Sequence, residues 1–129
     1  MKKQLFAALL SVILILSALP LACAETEMSL YSLPTTTLTV TISFSDGKAV
    51  ASAKCTVAAN QSAFTWASVQ KLIDGKWITV GTGMGSGKAS GSVTLEAGAT
   101  YRAYGYSKVY NSEGVEIDSI YGYSRSKTN

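Results

Sequence analysis

Thr100-Tyr101-Arg102-Ala103-Tyr104-Gly105-Tyr106-Ser107-Lys108-Val109-Tyr110 decides the fold class of this chain. Side chains alternate across a β-strand, so Tyr101, Ala103, Gly105, Ser107 and Val109 share one face and Arg102, Tyr104, Tyr106, Lys108 and Tyr110 share the other. The first set is small apart from its leading tyrosine, suits a sheet interior, and leaves space there for Trp66. The second set is a tyrosine stripe flanked by cations. Tyrosines supply contact area and a hydroxyl at low entropic cost, so the stripe is a candidate surface for a peptide or a glycan. Tyrosines also favour strands and pair across them, which is the purely structural account of the same row.

Working outward, the same period of two recurs. Leu38, Val40, Ile42 and Phe44 alternate with Thr37, Thr39, Thr41 and Ser43, a strand with one apolar and one hydroxyl face. Ser45-Asp46-Gly47-Lys48 predicts a hairpin turn into a second strand carrying Ala49, Ala51, Ala53, Cys55 and Val57. Ala58-Ala59-Asn60-Gln61 predicts a further turn, Phe64 to Leu72 a strand, and Asp74-Gly75 a turn into Trp77 to Val80. The Gly- and Ser-rich residues 81–91 read as a flexible loop. Val93 and Leu95 mark a short strand, and Asn111 to Gly114 a turn before a strand over Val115 to Tyr123. About seven short strands at regular intervals, with no sustained helical period, predict an all-β, antiparallel β-sandwich over residues 36–126. Residues 25–35 read as a lead-in segment and 127–129 as a C-terminal tail.

Leu95-x-x-Gly98-x-x-Tyr101 resembles the tyrosine corner of Greek-key sandwiches, in which the Tyr hydroxyl ties back to upstream backbone. Cys55, 11 residues before Trp66, is similar to the strand B cysteine and strand C tryptophan of immunoglobulin domains. The position of their second cysteine is Ala103 here, so the inter-sheet disulfide is absent. The chain therefore resembles the disulfide-free fibronectin type III side of that superfamily. Lys71-Leu72-Ile73-Asp74-Gly75-Lys76-Trp77 and Ala97-Gly98-Ala99-Thr100-Tyr101-Arg102 are similar to segments of small secreted Ig-like proteins of Gram-positive bacteria, a group without an assigned function. The resemblance spans most of residues 37–124. It implies an Ig-like Greek key of about seven strands, with Leu95, Gly98, Tyr101, Trp66 and Cys55 as structural residues, and it implies no catalytic ones.

The first 24 residues predict export. Lys2 and Lys3 precede an apolar run from Leu5 to Leu19, and Ala22-Cys23-Ala24 ends it, the order of a secretory signal peptide. The run is shorter than a membrane-spanning helix needs. The net charge of +3 includes Lys2 and Lys3; without them nine Lys and Arg face eight Asp and Glu. That balance gives no support for nucleic-acid binding. Of the two cysteines, Cys23 leaves with the leader and Cys55 remains as one buried thiol. Leu21-Ala22-Cys23 partly fits a lipobox, which keeps a second outcome open: a lipid-anchored protein beginning at Cys23 rather than a released one beginning at Glu25.

Catalytic chemistry is hard to assemble from this composition. The chain has no histidine, which removes the usual general base near neutral pH, the usual zinc ligand and the Ser-His and Cys-His pairs. Asp46 and Asp74 belong to Asp-Gly turns. Glu113, Glu116 and Asp118 lack the loop spacing of a calcium-binding helix-loop-helix. Gly81 to Ala89 fails the phosphate-loop pattern at Thr82 and Ala89. Asn60-Gln61-Ser62 has the form of a glycosylation site, but the leader looks bacterial. The expectation is an exported, non-catalytic binding or structural module without cofactor or metal, acting outside the cell or at its envelope on a peptide or glycan ligand. A secreted bacteriocin-like or inhibitory effector is the alternative.

Overall fold

The computed structural model describes residues 27–31 and 35–129. The segment 1–24 and Cys23, on which export or lipidation turns, lie outside the described residues. Nine strands follow in order: β1 (Glu27–Tyr31), β2 (Thr37–Ser45), β3 (Lys48–Thr56), β4 (Ser62–Ile73), β5 (Lys76–Ser86), β6 (Lys88–Thr94), β7 (Thr100–Tyr110), β8 (Glu116–Tyr123) and β9 (Lys127–Thr128). They form two antiparallel sheets, β1-β2-β3-β6 and β5-β4-β7-β8, with β9 also paired to β7. The chain is all-β, and no helix occurs among the described residues.

The hairpins form where Asp-Gly pairs permit them. Asp46 and Gly47 have φ of 52° and 73°, and Asp74 and Gly75 have φ of 51° and 75°. Positive φ at both central positions is the type I′ geometry, whose twist matches that of the flanking strands. Register follows from these turns: Ser45 pairs Lys48 and Leu38 pairs Cys55, while Ile73 pairs Lys76.

Between the sheets lies a core of Leu38, Val40 and Ile42 from β2, Ala49, Ala51, Ala53 and Cys55 from β3, Ala63, Ala67 and Val69 from β4, and Tyr101, Ala103 and Val109 from β7. Strand β7 alternates buried and half-buried along its whole length, with Tyr101 inward. The ring of Tyr101 packs edge-on to Phe44 at 5.8 Å. Its hydroxyl accepts the Glu96 backbone N–H at 2.9 Å, which holds the β6–β7 connection against the start of β7. Within the same layer the hydroxyls of Thr65 and Ser107 are 2.9 Å apart, and Ser107 donates to the Phe64 carbonyl. Neither buried hydroxyl is left without a partner, as burial demands.

Four sequence expectations are corrected. Residues 81–91 are not a loop: they are the second half of β5 and the first half of β6, joined at Gly87. The glycines serve close approach. A Cβ at Gly81 would stand 2.5 Å from the Ser92 carbonyl oxygen, one at Gly91 2.7 Å from that of Ala67, and one at Gly83 would run into that of Ser90. Here the edge strands of the two sheets meet backbone to backbone, and Gly87 crosses between sheets while accepting from Cys55 N–H and donating to the Ala63 carbonyl. Trp66, expected in the interior, lies on the outer face, because the inward parity of β4 belongs to Ala63, Thr65, Ala67 and Val69. Residues 127–129 are no free tail, since β9 pairs β7 and Asn129 bonds the backbone of Ala99 and Gly98. The lead-in contains β1, paired to β2 from Glu27 opposite Thr41 to Tyr31 opposite Thr37, so the strands number nine among the described residues rather than about seven.

Two substitutions test this account by urea unfolding. Gly83→Ala should cost about 2–3 kcal/mol, the range for forced overpacking, while exposed Ser90→Ala should change stability by less than about 0.5 kcal/mol. Tyr101→Phe should cost about 1–3 kcal/mol, because it leaves the Glu96 N–H without its acceptor.

Candidate functional site

The outer face of the second sheet gathers most of the aromatic side chains into rows set by strand register. Met84, Trp66, Tyr106 and Tyr121 form one row across β5, β4, β7 and β8; Thr82, Ser68, Tyr104 and Tyr123 form the next. Phe64 and Lys108 stand above them, Gln70 and Arg102 below. Each residue occurs at the outward parity of its strand, so the surface is a direct product of four period-two patterns in register.

The rings hold one another. Phe64 and Trp66 meet edge to face at 4.7 Å, and Trp66 lies 5.3 Å from Tyr106. Tyr104 stands 5.1 Å from Tyr123 and 6.4 Å from Tyr121, while Tyr121 and Tyr123 meet near the perpendicular. Such pairs add roughly 0.5–1.5 kcal/mol each beyond area burial. At the lower end the Arg102 guanidinium lies over the Trp77 ring at 4.4 Å and the Tyr123 ring at 4.2 Å. Its Nε donates to Gln70 Oε1 at 2.7 Å. Arg102 is thus clamped between two rings and braces β5 against β8. Ser68 and Thr82 share a hydroxyl hydrogen bond at 2.9 Å, which ties the β5 side of the face.

Burial among the rings pushes the Tyr104 phenol up, and neighbouring Tyr123, Tyr106 and Tyr121 push it the same way. Partial burial lowers Arg102, opposed by Tyr123, without bringing an arginine near deprotonation. The face therefore keeps Tyr104 neutral and Arg102 as a fixed cation at physiological pH. Tyr121 is 60% exposed and Met84 62%; these two offer the most accessible apolar contact, and the other rings are half-buried supports.

Of the stripe read from β7, Arg102, Tyr104 and Tyr106 lie inside the cluster. Lys108 lies at its upper margin, 3.9 Å from Glu116. Tyr110 ends β7 opposite Ser62 and Glu116 and makes no ring contact among the described residues. Sequence reasoning missed Trp66, Trp77, Tyr121 and Tyr123 as members of this face. The signal was present for two of them, since Tyr121 and Tyr123 alternate with buried Ile120 and Gly122. The other expected site residues are structural: Leu95 packs at the margin of the core, and Gly98 takes φ of 76° while its N–H donates to the Asn129 carbonyl.

Cys55 is buried and free. Burial pushes its thiol up, Ser107 opposes through a hydrogen bond, and the Asp118 carboxylate adds to the rise. Glu113, Glu116 and Asp118 form no group suited to a metal ion, and no such group occurs among the described residues. Compared with family models, curated proteins and solved structures, the chain matches none.

The raised thiol gives a signed prediction. The unfolded chain releases the Cys55 proton near the ordinary value of 9.0, whereas the folded chain holds it to higher pH. The stability this supplies is fully present below that value and is lost as pH rises through the folded pKa. Urea midpoints should therefore decline in alkaline solution, and Cys55→Ala should make that decline shallower. Alkylation of Cys55 at neutral pH should be slow in the native protein and fast in urea.

Proposed function

We propose that this protein is an exported, non-catalytic Ig-like module that binds a peptide or glycan outside the cell or at its envelope through the aromatic outer face of its second sheet. The observation that carries this reading is the row Met84-Trp66-Tyr106-Tyr121 with Tyr104, Tyr123 and clamped Arg102 beside it. Contiguous aromatic surface on the solvent side of a sheet, here with Tyr121 and Met84 well exposed, marks interaction sites. Tyrosine, tryptophan and arginine are the residues that dominate binding energy when they cluster at the centre of a surface.

The strand order supports the Ig-like assignment. Strands β2, β3 and β6 take the places of A, B and E, and β4, β7 and β8 those of C, F and G, in sandwiches of that type. The remaining strand, β5, lies beside β4 on the second sheet, the arrangement expected on the fibronectin type III side. The hydrogen bond from the Glu96 N–H to the Tyr101 hydroxyl has the form of a tyrosine corner. The tryptophan of the immunoglobulin pattern departs from it, because Trp66 faces outward. Export rests on the leader pattern of residues 1–24.

Tyr121→Ser and the double substitution Tyr104→Ser with Tyr106→Ser test the proposal. Tyr121 is exposed, so its loss should change stability by less than about 0.5 kcal/mol. Binding to bacterial envelope preparations, measured by pull-down and quantified on glycan and peptide arrays, should fall about tenfold or more on loss of a central aromatic contact. Equal binding by wild type and all variants sinks the aromatic face as the site.

A further inference from the structure

We infer that the outer face of the first sheet holds a second site, a groove for a phosphate monoester on a small organic carrier. The groove has a volume of about 380 Å³ and runs over β2, β3 and β6, walled on one side by Met84 of β5. Lys54 of β3 and Lys88 of β6 both line it and stand directly opposite each other in the antiparallel register. Cβ atoms of such a pair lie about 5 Å apart, and like charges there destabilise a sheet. The ion pairs among the described residues engage Lys71 and Lys108 instead. One row along, Thr41, Ser52 and Ser90 stand side by side on three adjacent strands and line the same groove.

This donor set selects the ligand. Two ammonium groups carry about six hydrogen-bond donors between them, and the three hydroxyls add more. A single carboxylate offsets only one of the two charges, whereas a doubly charged tetrahedral oxyanion offsets both while accepting from the lysines and the hydroxyl row. The groove is larger than one oxyanion and falls in the lower part of the range for small-molecule sites. The anion therefore comes on a carrier, whose body lies toward the Met84 wall. Met84 also pairs with Trp66 on the second sheet, so the groove opens around the β5–β6 edge from the aromatic face and does not depend on it.

Titration of the purified isotope-labelled protein with glucose 6-phosphate, inorganic phosphate, acetate and phosphatidylglycerol vesicles tests the site by amide chemical shifts. Glucose 6-phosphate should shift residues of the groove, bind at least tenfold tighter than acetate, and weaken as salt is raised. Lys54→Gln with Lys88→Gln should abolish those shifts while leaving the melting temperature unchanged or higher, since repulsion is relieved. Four results overturn the proposal: no groove shifts with either phosphate, shifts that survive the double substitution, acetate binding as tight as phosphate, or binding to vesicles alone. Because Tyr121→Ser leaves the groove intact, its effect on envelope binding reports separately on the aromatic face.

Discussion

At the β5–β6 edge the backbones of the two sheets come so close that only glycine fits. Gly81, Gly83, Gly85 and Gly91 each face a carbonyl oxygen across the gap, at distances no Cβ tolerates. That approach sets how deep the interior can be near this edge. The core is shallow to match: Ala49, Ala51, Ala53, Ala63, Ala67, Ala89 and Ala103 fill much of it, and a Cβ at Gly105 would come 2.5 Å from Val40 Cγ2. Close packing leaves no room to exchange such residues for larger ones. Large rings are therefore excluded from the interior near this edge; Tyr101 and Phe44 pack together away from it, where the Tyr101 hydroxyl finds the Glu96 N–H. The aromatic outer face is the other side of the same constraint.

Strand β7 was fully legible in its sequence, from bounds to parity, because eleven residues alternate without interruption. Strands β2 and β3 and the Asp-Gly hairpins were legible for similar local reasons. Residues 81–91 were not. Glycine is consistent both with a flexible loop and with close backbone approach, and the difference lies in a partner strand that no local pattern reveals. Trp66 failed differently. Its parity relative to Ala63, Thr65, Ala67 and Val69 already pointed outward, but the Cys55-to-Trp66 spacing and the small residues of β7 argued for an inward ring. In the fold the space beneath β7 is taken by the Thr65–Ser107 hydroxyl pair. The aromatic face needed the register of four strands, and register depends on long-range pairing that one strand does not encode.

Register also explains why the two faces of the sandwich differ in chemistry. The outward positions of β2, β3 and β6 are Thr, Ser and Lys apart from Val50, whereas those of β4, β7 and β8 are rich in Trp and Tyr. Both sheets turn mainly apolar residues inward, from Leu38, Val40 and Ile42 to the alanines, with Thr65 and Ser107 as the buried hydroxyl pair. The consistent rows that these outer positions form across three or four strands fit the contact role we propose as well as cross-strand pairing. Met84 links the two surfaces, since the narrow glycine seam lets one β5 side chain border both.

The physical value of the aromatic face lies in what is already ordered. Association pays for every side chain it immobilises, about 0.5–1.5 kcal/mol for rotamer-rich groups. Here Tyr104, Tyr106 and Tyr123 are held by ring contacts, and Arg102 is fixed by two rings and Gln70 before any ligand arrives. A lysine-rich surface of equal area would lose more freedom on binding. The glycine seam, the shallow core and the corner hydrogen bond keep the sheet beneath these rings in one geometry with no internal disulfide among the described residues. A rigid sheet carrying pre-packed rings needs little reorganisation to bind, which is the property the proposed binding role requires.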